Sequence, residues 1–170
     1  MRGNVIREKL EENVVMFDKV ISGGQTGVDR AGLDAAMKAG IPAGGYCPRG
    51  RVAEDGAVPD TYPMIELTNG GSAARTEKNV MESDGTLILN VGRLSGGTRF
   101  TLECARKHHK PCLVLQLERD TETEPVMQWA KEHRIRVLNI AGPRESKCAG
   151  LHERAFAFLC RLFLEDMQIR

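Results

Sequence analysis

The sequence predicts an α/β fold of the doubly wound kind: a mostly parallel sheet of about five strands with helices on both faces. Three observations predict it. Short, near-continuous apolar runs alternate with segments of helical period, the pattern of strands buried between crossover helices. Glycine-rich turns stand at three of the strand ends, 22–27, 92–98 and 141–144. With 170 residues, 41% of them hydrophobic and 28% charged, the chain can bury one sizeable core and does not read as disordered.

Residues 1–16 read as a short amphipathic helix with Val5, Ile6, Leu10 and Val14 on one side. This extension precedes a single ligand-binding domain over 17–170. Lys19–Ser22 is an apolar run stopped by glycines, a buried-strand signature. Residues 29–40 follow as a helix, with Ala31, Ala35 and Ala39 along one face and Gly40 and Pro42 as the stop. Residues 43–61 show no sustained period and are rich in Gly and Pro, which marks a long functional loop. Tyr62–Leu67 reads as a strand, 72–83 as a helix with Ser72 as N-cap, and 85–91 as the clearest buried strand. Beyond the glycine turn at 93–97 come a helix near 98–109, a strand at 112–117, and a helix at 124–134 with Pro125 in its first turn. A strand at 136–142 and a long helix at 150–167 close the chain. In that helix Leu151, Ala155, Phe158, Leu159, Leu162 and Phe163 follow helical spacing. Phe156, Cys160 and Leu164 widen the apolar face, which suggests burial on two sides or a homo-oligomer contact.

Composition narrows the function classes. A net charge of +1 and 5% aromatic residues offer neither a basic footprint nor stacking platforms for nucleic acid. Five cysteines without a CxxC pair suit a reducing cytoplasm better than a disulfide framework or a zinc site. The charged start is no signal peptide, and no stretch approaches the ~20 apolar residues of a membrane span. A cytoplasmic protein with a small anionic ligand is expected, with neither a membrane nor a nucleic acid as partner.

In open parallel sheets ligands lie beyond the carboxyl ends of the strands, and that is where the glycines are. The first turn, SGGQTG (22–27), is neither GxGxxG nor GxxxxGK[ST]. Its physics suits an anion all the same. Gly23, Gly24 and Gly27 permit close backbone approach, Gln25 and Thr26 add polar side chains, and Arg30 adds charge one turn into the helix. The bland alternative is a tight turn that needs glycine for packing alone. Gly96, Gly97 and Thr98 open a second helix at the same sheet edge. Arg49 and Arg51 flank a glycine in the long loop and suit an oxyanion, or else form a solvated turn with Glu54 and Asp55. Arg144 stands at a further strand end. Glu103 lies one to two turns inside its helix. His108 and His109 close that helix before Pro111, where protonated histidine complements the dipole. No catalytic residue and no metal ligand is singled out.

SGGQTGVDRAGLDAA, GGYCPRGRVAEDG, RTEKNVMESDGTLIL, SGGTRFTLECARKHHKPCLVL and VLNIAGPRES occur in this order. Together they resemble the molybdenum-cofactor carrier family over about 17–164. That family is a Rossmann-like branch related to the lysine-decarboxylase-like proteins and their phosphoribohydrolases. The resemblance implies an often oligomeric binding protein for molybdenum cofactor (molybdopterin), an anionic, phosphate-bearing ligand. It also implies an alternative. Arg75, Gly96, Gly97 and Glu103 match the phosphoribohydrolase pattern, whereas Thr76, Ser95, Arg99 and Phe100 depart from it. The rivals are therefore an N-glycosidic hydrolase of nucleoside 5′-monophosphates and a nucleotide-sensing module.

Overall fold

The computed structural model describes residues 17–168, and the helix expected at 1–16 lies outside them. In chain order the elements are β1 (Lys19–Ile21), α1 (Val28–Lys38), β2 (Ala43–Gly44), β3 (Tyr46–Cys47), β4 (Val52–Ala53), β5 (Gly56–Ala57) and β6 (Ile65–Glu66). Then follow α2 (Ser72–Glu82), β7 (Gly85–Asn90), α3 (Gly96–Lys107), β8 (Cys112–Gln116), α4 (Glu124–Glu132), β9 (Val137–Ala141) and α5 (Leu151–Gln168). The main sheet is five-stranded and wholly parallel, in the order β2-β1-β9-β7-β8. This is the doubly wound α/β fold that the alternation predicts.

The fifth strand is not the expected one. Ala43–Gly44, inside the stretch read as loop, pairs with Val20–Ile21 at the sheet edge. Ile65–Glu66 leaves the sheet and makes a two-residue ladder with Tyr46–Cys47. Ile65 is 54% exposed, so its apolar character does not reflect a place in the core. Residues 45–66 thus form a small lobe with its own cluster of Cys47, Ala53 and Val58. Arg51 staples the lobe, donating from Nε to the Val58 carbonyl (2.9 Å) and from Nη2 to those of Pro59 (2.8 Å) and Tyr62 (3.1 Å).

Strand alternation sorts the two faces. Leu87, Leu89, Leu138 and Ile140 join α1, α4 and α5 in the main core, where Phe17 meets Phe163 edge-on at 5.9 Å. On the opposite face Thr86 and Asn139 share a buried hydrogen bond of 3.1 Å. There α2 and α3 close over the sheet through Val80, Cys104 and Ala105. The polar layer on that face leads toward the strand ends. Among the described residues no helix is long and apolar enough to cross a membrane.

Helix α1 can lie tightly on the end of β9 only because residue 142 has no side chain. A methyl group there would run into the Leu89 carbonyl and the Val28 side chain. Gly142→Ala should lower the melting temperature by about 3–10 °C. An unchanged calorimetric melt would show that this end of the sheet is looser than its contacts indicate.

Candidate functional site

From β1 the chain moves outward to β2, then returns to lay β7 on the far side of β9. The carboxyl ends of β1, β9 and β7 therefore frame a single crevice at the switch in strand order. It is a cavity of about 600 Å³, within the range of small-molecule sites. Gly23 and Gln25 line it after β1, with Asp29 from α1. Ser72, Arg75, Thr76 and Asn79 come from the start of α2, and Ser95 to Thr98 with Phe100 from the start of α3. The end of β9 and the following loop, Asn139 to Arg144 with Ser146 and Lys147, complete it.

The helix openings at this crevice differ. Four N–H groups around the start of α1 are taken up within the protein. Those of Gly24 and Thr26 donate to Ser22 Oγ (3.3 Å) and Gln25 Oε1 (3.0 Å). That of Val28 donates to the Pro143 carbonyl (3.3 Å), and that of Gln25 to Asp29 Oδ2 (3.3 Å). The anion beside this helix start is the protein's own Asp29 carboxylate, 5% exposed and 3.0 Å from Arg75 Nη1. Burial pushes the Asp29 carboxyl above its usual range, while Arg75 and the N–H groups of Gln25 and Gly23 pull it back down. Gly23 makes room for this pair, because an added methyl would fall on the Arg75 guanidinium.

At α3 the situation is reversed. Ser95 makes no side-chain cap, and the first turn carries no acidic residue. The earliest internal donor is Arg99, bonded to the Ser95 carbonyl (3.2 Å). Among the described residues nothing accepts from the N–H groups of Gly96, Gly97 and Thr98. Open space surrounds both glycines on the side where a Cβ would stand. The start of α2 is likewise uncapped and free of acid, with Arg75 as its first internal donor. Lys147 Nζ donates to Ser95 Oγ, which sets an ammonium at the mouth of α3. Of the charged side chains lining the cavity, three are cationic (Arg75, Arg144 and Lys147) and one, Asp29, is acidic.

Glu54 holds the rim together. Its carboxylate accepts from Thr26 Oγ1 and from the N–H (3.1 Å) and hydroxyl (2.5 Å) of Ser146, and Arg144 Nε stands 3.9 Å away. Partial burial pushes Glu54 up, but these hydrogen bonds and the Arg144 charge outweigh it and hold the carboxyl below its ordinary range. Arg30 is engaged with Asp55 at 2.5 and 2.8 Å. The lobe is thereby bonded to the loops after β1 and after β9.

Of the residues singled out from the sequence, Gly23, Gln25, Arg75, Gly96, Gly97, Thr98 and Arg144 come together around the cavity. The others do not line it. Gly24 (φ 74) packs beneath Val58 and Met64, and Gly27 (φ 78) against the backbone of 143–145. Thr26 and Arg30 hold Glu54 and Asp55, Arg51 holds its own loop, and Arg49 sits beside Glu66, Leu67 and Thr68 in a separate hollow. Glu103 is exposed on α3 and pairs with Arg99 at 3.0 Å. Sequence reasoning passed over Asp29, Glu54, Asn79 and Lys147. An aspartate in the first turn after a glycine loop was a usable signal. For Lys147 the sequence holds none.

A parallel sheet covered by helices, with a cavity at the switch in strand order, defines a Rossmann-like protein. The chain matches the circularly permutated YpsA SLOG family over residues 20–163 and belongs to it. Among solved structures it is similar to one named "putative molybdenum carrier protein" from Syntrophus aciditrophicus SB. The two are 46% identical, over 87% of this chain and 95% of that one, with a TM-score of 0.83. No curated protein matches.

Tyr62 anchors the lobe to α1. Its hydroxyl donates to Asp34 Oδ1 (2.8 Å), and His152 Nε2 lies 2.7 Å from the other oxygen. Burial, with the Asp34 bond and charge adding to it, pushes the Tyr62 phenol up to about 12. A raised pKa means that the folded state holds the proton more tightly. Its stabilisation is complete below the unfolded value of about 10 and is lost as pH rises toward 12. Alkaline titration of phenolate absorbance, with Tyr62→Phe as blank, should place this proton near pH 12. A transition at the value of free tyrosine would disprove the anchor.

Proposed function

We propose that this protein binds molybdenum cofactor and acts as its carrier, holding the cofactor's phosphate at the start of α3. The observation that carries this is the set of undonated N–H groups of Gly96, Gly97 and Thr98 beside Lys147. Oriented amides at a helix N-terminus favour a bound anion without further machinery. The family relationship and the name of the solved relative support the choice of cofactor.

The residues present fit such a ligand. The cavity is basic at its rim and offers Phe100, Ala141 and Pro143 as apolar wall for a ring system. Among the described residues no group of three or more His, Cys, Asp and Glu side chains is set to hold a metal ion. In this reading molybdenum is cargo, and the protein grips the organic part of the cofactor.

The hydrolase alternative requires Arg75 and Glu103 to face one ribose. Arg75 points to Asp29 inside the cavity, and Glu103 stands outside it. Geometry therefore favours binding over N-glycosidic cleavage.

Gly97→Asp separates binding from folding. The site has room for the side chain, and an acid in a first helical turn helps the helix by about 0.3–1 kcal/mol. The variant should melt at or slightly above the wild-type temperature. It should fail to retain molybdenum and pterin fluorescence through gel filtration, where the wild type retains both. Retention equal to wild type would remove α3 from the site. Release of free base from AMP would move the assignment to the hydrolase.

A further inference from the structure

Asp29 is buried to 4% exposure yet lines the cavity. Its two oxygens are used unequally. Oδ2 accepts from both Arg75 Nη1 and Gln25 N. The Gly23 N–H also bonds the carboxylate, and no side chain among the described residues donates to Oδ1. What remains is a carboxylate fixed by an ion pair behind it, with acceptor capacity left at Oδ1 on a residue that lines the cavity.

The walls say what can reach it. Every other charged side chain on the cavity is cationic, so Asp29 is the one carboxylate among its lining residues. An anionic group cannot approach it. A polarised N–H edge can, and Phe100, Ala141 and Pro143 supply the apolar surface on which a flat ring would lie.

We propose that Asp29 is a specificity-determining residue whose Oδ1 accepts hydrogen bonds from the adjacent N–H groups of an aminopyrimidinone ring edge, the edge shared by pterins and guanine. This deepens the function proposed above and rests on it for the location of the ligand. Arg75 is the positioning residue that turns Oδ1 outward by occupying Oδ2. Rings that carry a carbonyl in place of the amino group set one acceptor against another and are rejected.

The test compares pterin with lumazine, which has oxygen in place of the amino group, by fluorescence titration of the intact chain. Wild type should prefer pterin by about 10-fold or more, the scale of a hydrogen bond to a charged group. Guanosine against inosine 5′-monophosphate repeats the comparison on a purine, and the pair bound more tightly identifies the ring. In Asp29→Asn the amide oxygen is drawn to Arg75 and the NH₂ turns to the cavity, so the preference should vanish or invert while the protein still melts cooperatively. Equal binding of pterin and lumazine to wild type, no binding of either, or a folded Asp29→Asn that keeps the wild-type preference would each overturn the proposal. The carrier function stands or falls separately. Cofactor retained through gel filtration without ring discrimination removes only Asp29's role. Ring discrimination without cofactor retention removes the carrier and leaves Asp29 in place.

Discussion

A carboxylate taken out of water at the start of α1 sets the geometry of the site. Asp29 is nearly inaccessible, and burying an isolated charge of that kind would be prohibitive. Arg75 reaches across from α2 and the Gln25 N–H turns inward, and together they offset part of the lost hydration. The pair joins elements 46 residues apart in sequence and locks the glycine turn beneath the guanidinium. Removing one partner of such a pair costs about 3–5 kcal/mol, because the other is left buried alone. The turn after β1, the tilt of α2 and the entry to the cavity therefore move together or not at all.

The same interaction explains why the first glycine turn is easily misread. Its sequence has every feature of an anion cradle, and the turn does serve an anion, but a covalently attached one. Sequence cannot tell whether an N–H group at a helix start will meet a ligand or a side chain of its own chain. That depends on which way the backbone faces after the turn. The turn at α3 carries the plainer motif and keeps its donors free, since Ser95 leaves them uncapped and no acid follows. Strand and helix identities were legible because burial imposes a period on them. Four of the five sheet strands and all five described helices appear where apolar spacing puts them. The two-residue strand Ala43–Gly44 is too short to have a period, and Ile65 looks like core while lying exposed. Arg49, Arg51 and Glu103 drew interest through charge and spacing, and tertiary placement alone separates them from the cavity.

Membership in the SLOG family gives the chain a shared frame without dictating its chemistry. The arginine and glutamate that match the phosphoribohydrolase pattern survive in sequence, but each has found a different partner, Asp29 for one and Arg99 for the other. A motif position thus stays recognisable while its side chain is redirected by a neighbour that the motif does not include. The lobe formed by residues 45–66 deepens that difference. Through Glu54 it fixes Ser146 and the loop after β9, so the cavity's rim is shaped by a segment far from the glycine turns.

Helices α2 and α3 begin without caps, and both beginnings open on the cavity. Uncapped first turns fray more readily than capped ones, and their amides exchange with solvent hydrogen through small local openings. The place where this protein is built to hold something is therefore also the least finished part of its fold. A ligand seated there would act as the missing cap for two helices at once. Occupancy would be written into the exchange rates of a few amides, with the sheet beneath left unchanged.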